Sequence, residues 1–501
     1  MPDNSSSGGN GSGNFFDSDL EAFITIAVTI AVVAYDVVSL TQHGAGPKPE
    51  AALYPLKQSV PPCSYLVGDY SRPQLAFVFY EARDNLYAAV YAVNDGRVDS
   101  YAAFYVNDDT VSLSGDPSDG SGSSDGFVTA VLNGYDDGRY VDERMRINYR
   151  LGLATETVYD RMTEFFSDTV DSTWRGDGTA SLMVHHFTPT DLKFFRQAFP
   201  SGRPNESVVA RGVCYDWRQD TTAGGSGAQR RDDETTWSWS ANPVVWLVHL
   251  EWFRWGRDWD RCIAPVLSTL TDEADYCDGA VSLHAGGTEN RYRCAGWFNS
   301  ETARSDVRQK LLDTMDGFYT TDGQGRLIIK AGRYDAPAFT ITADHIEGFT
   351  WTRGIPAENV VNELSISFTS PAHDYTSQEC DPWIVGDGGK VDSLALPWVP
   401  SFTQARRLAK RRMARLNPVR QGQIRTGPIG LNGLGDRYIG VQNPRRDSMA
   451  DVVCEVVNCE FDPMSGGFVF DVITADPDID DWDPATEEGA PVPVQTRPPS
   501  S

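Results

Sequence analysis

The longest apolar run lies near the N-terminus. Ala22 to Tyr35 reads AFITIAVTIAVVAY, and Val37, Val38 and Leu40 continue it past Asp36. Its 14 uncharged residues fall short of the ~18 that a membrane-spanning helix needs. No Lys or Arg precedes Lys48, so the cationic leader of a secretory signal is missing. Many of its residues are β-branched, which suits strand as well as helix. Such a segment must be buried: in an assembly partner or a symmetric copy, in the chain's own core, or in a bilayer. Phe23, Ile24, Ile26, Val28, Ile30, Val32 and Val33 are its candidate interface residues. Residues 1–19, rich in Gly, Ser and Asn, read as a flexible arm.

From Tyr65 to Leu151 the pattern is short strands and turns. Strands are expected at Ala76–Tyr80, Leu86–Val93 and Tyr101–Val106, with a turn at Asn94-Asp95-Gly96. Two tracts, 116–126 and 220–233, are loops by composition. The texture changes near Trp237. Asn242-Pro243 opens a helix, and further helices are expected at 270–278 and 302–316, where Gly317 suits the stop. Strand patterns return at 327–329, 339–342 and 364–368. A helix follows at 402–416, then strands near 438–441, 452–458 and 468–474. No internal repeat of 20–50 residues is visible.

This is an α+β chain, predominantly β. Its 501 residues allow about three domains. The expected divisions are an arm with the apolar segment (1–46), a β-rich part (47–236), a helical or mixed part (237–335), a second β-rich part (336–400), a helix with returning strands (401–475) and an acidic, Pro-rich arm (476–501). With 13 Trp, 20 Tyr and 23 Phe, there is ample material for buried cores, so a wholly disordered chain is excluded. The formal charge of −27 argues against a protein that wraps DNA, because phosphate binding needs clustered cations.

Little in the sequence points to catalysis. The eight cysteines show no C-x-x-C spacing and read as buried free thiols of a chain folded in the cytoplasm. Gly122-Ser123-Ser124-Asp125-Gly126 fits G-x-S-x-G, but it lies inside a loop rather than between strand and helix. Adjacent His185 and His186 would face opposite sides of a strand, and His249, among tryptophans, reads as a satisfied core or interface group. Asp476, Asp478, Asp480 and Glu487 occupy positions 1, 3, 5 and 12 of a calcium-loop pattern. Asp481 stands where that loop needs Gly, and a strand precedes it, so an extended acidic arm is the preferred reading. No catalytic, cofactor or metal site is assigned. On the 402–416 helix, Arg406, Lys410 and Arg411 stand among further arginines, opposite an apolar face of Phe402, Ala405, Ala409, Met413 and Leu416. A nucleic-acid helix has this look, and so does an interface helix meeting acidic neighbours. The net charge favours the second.

Several blocks, in order, resemble the tail-tip or baseplate-hub proteins of tailed phages, the lambda-type tail-tip protein J family, and the related hub of gene transfer agents. They are Asn242-Pro243-Val244, the helix 270–278 with Cys277-Asp278, Arg291-Tyr292 to Phe298, Asp306 to Met315, Asp322 through Gly332, Thr340-Ile341-Thr342 with Ile346, Asn362-Glu363-Leu364, Ala405 to Ala409, and Gly435-Asp436. The resemblance is clear over 240–480 and weaker over 60–235. Asp344 sits one place nearer Thr342 than the family pattern has it, and segment 22–40 has no family counterpart.

The resemblance implies a structural assembly protein: tail-tube-like β-barrel or sandwich domains with a helical insertion, in a multi-domain, homotrimeric hub at the tip of a non-contractile tail. Its implied partners are the distal tail protein ring, other tail-tip proteins, the tape-measure protein's C-terminus and a fibre or receptor-binding protein. Genome DNA would pass through the lumen without specific binding, and the host membrane is a further contact. The chain would be made in the host cytoplasm and reside in the virion. Residues 20–40 of three copies would then plug the tube, and the shortness of the chain relative to the long lambda-type proteins would leave the fibre to another chain. A tail-associated enzyme degrading cell wall or polysaccharide is the alternative.

Overall fold

The computed structural model describes residues 62–494 apart from 84, 119–124, 132–139, 142 and 188–203. The apolar segment with Phe23, Ile24, Ile26, Val28, Ile30, Val32 and Val33, most of the 116–126 loop and residues 495–501 lie outside them.

Two antiparallel four-stranded sheets organise the N-terminal part. One runs Ala76–Arg83, Leu86–Asp95, Thr179–Phe187, Met145–Arg150; the other runs Val128–Val131, Asp109–Leu113, Val98–Val106, Glu206–Gly212. Tyr91, Val93, Leu182 and Val184 of the first meet Val98, Val106, Val208 and Ala210 of the second in one apolar cluster. The opposite face of the first sheet is covered too, by Tyr159, Met162, Phe166 and Val170 against Leu86, Ala88 and Met183. With both faces covered, Thr179–Phe187 is buried from Ala180 to His186, two histidines included. The turn expected at Asn94-Asp95-Gly96 is not found: Asn94 and Asp95 end the strand Leu86–Asp95, and Gly96 bridges to Thr179 without closing a hairpin. This stretch carries the chain from one sheet to the other, so the strands on either side of it never pair.

A second core cluster runs from Tyr65 through Trp246, Leu270, Met315, Leu327, Ile366 and Leu396 to Met413. Parts of 237–335 and 336–400 and the helix of 401–475 therefore share one core. The Pro243–His249 helix is nearly all apolar and fully buried, with the helices Leu267–Asp278 and Arg304–Met315 packed on it. Strand Ser64–Gly68 pairs with Ala295–Asn299, far along the chain.

The C-terminal part holds a six-stranded sheet in the order Thr340–Thr342, Tyr438–Gln442, Val452–Asp462, Gly467–Thr474, Arg420–Thr426, Ile346–Arg353. Its apolar face carries Ile341, Ile424, Ile439, Val456 and Phe470. A three-stranded sheet, Thr376–Ile384, Glu363–Ser370, Val391–Leu396, backs the Phe402–Leu416 helix. The architecture is α+β, predominantly β.

Candidate functional site

The Phe402–Leu416 helix starts at Ser401, whose hydroxyl accepts the Gln404 N–H. Ala405, Leu408, Ala409 and Met413 are buried on its apolar face. Five of its cations, Arg406, Arg407, Lys410, Arg411 and Arg415, are engaged within the chain, while Arg412 is exposed. Arg406 donates to the carbonyls of Asp381 (2.9 Å), Pro382 (2.6 Å) and Glu487 (3.0 Å). Lys410 reaches the Glu487 carboxylate at 2.7 Å, Arg407 reaches Glu289 at 2.9 Å, and Arg411 lies between Asp316 and Asp480. Arg406 and Arg411 are buried. Lys410 and Arg411 thus meet acids of their own chain, whereas Arg406 meets backbone carbonyls.

Asp316 is the centre of this network. It accepts from Arg411, Arg415 and Arg437, while Glu455 bridges the last two from the six-stranded sheet. Burial pushes the Asp316 carboxyl up, but Arg415, Arg437 and Arg411 more than reverse this and hold it well below the usual carboxylate range. Asp316 also sits in the left-handed region, φ 52°, and ends the Arg304–Met315 helix. The expected stop at Gly317 falls one residue earlier, on a residue whose short side chain tolerates that conformation. Two more buried carboxylates are paired within the chain: Glu251 with Arg257, Arg308 and the Tyr319 hydroxyl, and Glu273 with Lys330 and Arg333.

Residues 476–494 do not extend as a free acidic arm. Asp480 accepts from Arg411 and the Tyr334 N–H, Glu487 from Lys410, and Glu488 from the His284 N–H (2.7 Å). The segment is a strap over the cationic side of the helix, drawn there by opposite charge. The calcium-loop carboxylates diverge onto these protein partners, and Asp476 caps Asp478 locally. The 220–233 tract also packs tightly. Asp220 is buried and accepts from Tyr215 (2.8 Å) and Thr222 (2.7 Å), and a Cβ at Gly225 would lie 2.3 Å from the Arg218 carbonyl. Gly225 and Gly227 serve close approach, and Gly224 supplies a positive φ of 91°.

The histidines are structural. His249 is fully buried, with Nε2 3.1 Å from the Tyr65 hydroxyl and Nδ1 accepting the Tyr215 N–H at 3.2 Å. Burial drives its pKa down to about 3, so it is neutral and satisfied, as its tryptophan-rich setting indicated. His185 and His186 do face opposite ways. His186 meets Glu206 at 2.6 Å, and Glu206 also accepts from Tyr91. His185 lies against Phe165, and burial together with Arg146 lowers its pKa to about 3. All eight cysteines are free, and Cys214, Cys277, Cys294, Cys380 and Cys454 are buried. Burial raises these five thiols, Cys380 to about 11 and Cys454 to about 12, which leaves them poor nucleophiles.

The feature that sequence reasoning missed is a cleft of about 360 Å³ beside strand Ala295–Asn299, lined by Tyr70, Trp297, Lys310, Pro371, Tyr375 and Trp398. Its residues are scattered over more than 300 positions, so no local motif marks it.

No family model matches the chain, and no curated protein matches it. Among solved structures, a chain of the virion of a native gene transfer agent particle aligns with a TM-score of 0.52 at 11% identity, covering 91% of this chain and 98% of that one. A tail protein from Neisseria meningitidis MC58 (TM-score 0.26, 9% identity, 83% and 96% covered) and the 43 kDa tail protein of prophage MuSo2 from Shewanella oneidensis (0.25, 9%, 84% and 99%) also align. At those two scores neither bears on the fold. The first does: the chain has, over nearly its whole length, a fold also found in a gene transfer agent particle.

Proposed function

We propose that the chain is a structural component of a phage-type tail: the hub at the distal tip of a non-contractile tail or a similar DNA-delivery particle. The observation that carries this reading is the end-to-end overlap with a virion chain, 91% of one and 98% of the other. The order of sequence blocks from Asn242 to Asp436 points the same way. The burial of His185 and His249 and of the raised thiols favours a scaffold over a hydrolase. In this role the chain is a homotrimer abutting the distal tail ring. It closes the tube, conducts DNA on ejection and anchors a fibre or receptor-binding protein, and segment 20–40 lines or plugs the lumen.

Particle reconstruction tests the role. The expected result is density for this chain at the tail tip with threefold symmetry; particles that lack the chain, or carry it elsewhere, would overturn it. For the plug, Ile26→Cys and Ile30→Cys should give trimeric crosslinks in intact particles. Normal particles without such crosslinks would sink that part. Zymography of the purified chain should show no clearing of cell wall or polysaccharide.

A further inference from the structure

Strand Ala295–Asn299 is paired on one side only, with Ser64–Gly68. The direction of its other polar groups follows from alternation along the strand. The Ala295 N–H turns away from Ser64–Gly68 and donates to the Trp398 carbonyl at 2.9 Å. The Asn299 N–H turns the same way and meets the Thr302 hydroxyl at 3.3 Å. Trp297, midway between them, must also point its N–H and C=O outward. The partner strand agrees: Leu66, opposite Trp297, sends its N–H to the Asn94 side chain rather than across the pair. Among the described residues the outward N–H and C=O of Trp297 have no partner. Trp297 is itself part of the lining of the 360 Å³ cleft.

Trp398 makes the first bond of a further strand, but Pro397 and Pro400 keep that segment from continuing along the edge. Next to the open edge stands Lys310, half-buried, its Nζ 5.5 Å from the Trp398 ring centre. Lys310 forms no ion pair among the described residues, in a chain of net charge −27. The other cation of the cleft, Arg72, is engaged by Asp108 and Ser207.

We propose that this cleft binds an extended peptide segment carrying a carboxylate. One residue of the peptide pairs with the Trp297 N–H and C=O as an added strand, and an acidic side chain next to it meets Lys310. A saccharide has less to stack on at Trp398 and Tyr70, whose rings are already in contact with the chain. Trp398 lies flat on Gly296, where a Cβ would fall 2.4 Å from its ring, and it carries Lys310. The Tyr70 ring is covered by Arg211 at 4.5 Å. The site requires only this chain, so it stands or falls apart from the tail-tip reading.

The test is fluorescence polarisation on the purified full chain with labelled acetyl-Thr-Val-Glu-Val-Thr-amide. Saturable binding is expected, with Kd below about 1 mM. Replacing the peptide's Glu by Lys, N-methylating its Val-Glu-Val amides, or substituting Lys310→Glu should each weaken it by about tenfold or more. The N-methylated peptide probes the edge on the unaltered protein, so a folding defect in Lys310→Glu cannot imitate the result. No saturable binding would overturn the proposal. So would binding indifferent to N-methylation or to Lys310→Glu, or chitohexaose binding that displaces the peptide.

Discussion

Asp316 links three pieces of chain by charge: the helix it terminates, Arg411 and Arg415 of the Phe402–Leu416 helix, and Arg437, just before strand Tyr438–Gln442 of the six-stranded sheet. Asp316→Asn keeps the shape and the left-handed backbone and removes only the charge. It leaves three guanidinium groups short of an anion, and Arg411 and Arg437 are buried. Breaking a buried pair in this way costs about 3–5 kcal/mol, so the denaturation midpoint should fall clearly; an unchanged midpoint would contradict the network's importance. The same residue adds acid sensitivity. Its carboxyl is depressed in the fold, so its contribution is present above the ordinary carboxylate pKa and is lost as pH falls towards the folded value. His185 works in a higher window. Its ordinary value is 6.5 and its folded value about 3. Between these values the unfolded chain binds the proton and the fold does not, so acidification destabilises at up to about 1.4 kcal/mol per pH unit. His185→Leu should flatten the stability-against-pH curve between about pH 6 and 4 by that slope. An equal slope in both proteins would refute the buried, neutral state.

Among the elements, the start of the Pro243–His249 helix is the most exposed to test. Asn242 accepts the N–H groups of Val244 (3.0 Å) and Val245 (3.3 Å) and donates to the Ala274 carbonyl of the neighbouring helix (2.7 Å). Asn242→Ala loses the cap and strands a buried carbonyl, about 2–4 kcal/mol together. Asp is as good a cap as Asn, but Asn242→Asp would turn a carboxylate towards Ala274 in place of a donor. Both variants should therefore melt lower, and recovery with Asp would show that capping alone matters. This element was legible from its sequence: an Asn-Pro pair followed by an apolar run. So were the helices 304–315 and 402–416 and most of the strands, because local patterning sets them. Partners were not legible. Thr340–Thr342 pairs in parallel with Tyr438–Gln442, and Ser64–Gly68 with Ala295–Asn299; pairing over such separations leaves no local trace. The arginines of 402–416 announced a need for acid, but not that Asp316, Glu289 and Glu487 of the same chain meet it. The open edge at Trp297 was invisible for the same reason, since it depends on where Trp398 stops.

For the whole molecule the charge is the quantity to explain. At −27 overall, the chain engages Arg406, Arg407, Lys410, Arg411 and Arg415 with its own carboxylates and carbonyls, which leaves Arg412 as the exposed cation of this helix. A nucleic-acid binder needs the reverse, cations on the surface in a contiguous patch. A tip through which a genome passes gains from having none, because a lumen with excess carboxylate repels phosphate and lets the duplex slide. The helix's internal ion pairs bind the C-terminal strap to the fold and, under the proposed role, would leave less cationic surface on which DNA could stick. The purified chain should not retard linear duplex DNA even at low salt, where phosphate attraction is strongest. Retardation that weakened as salt rose would reveal a cationic patch, and it would count against passage without binding.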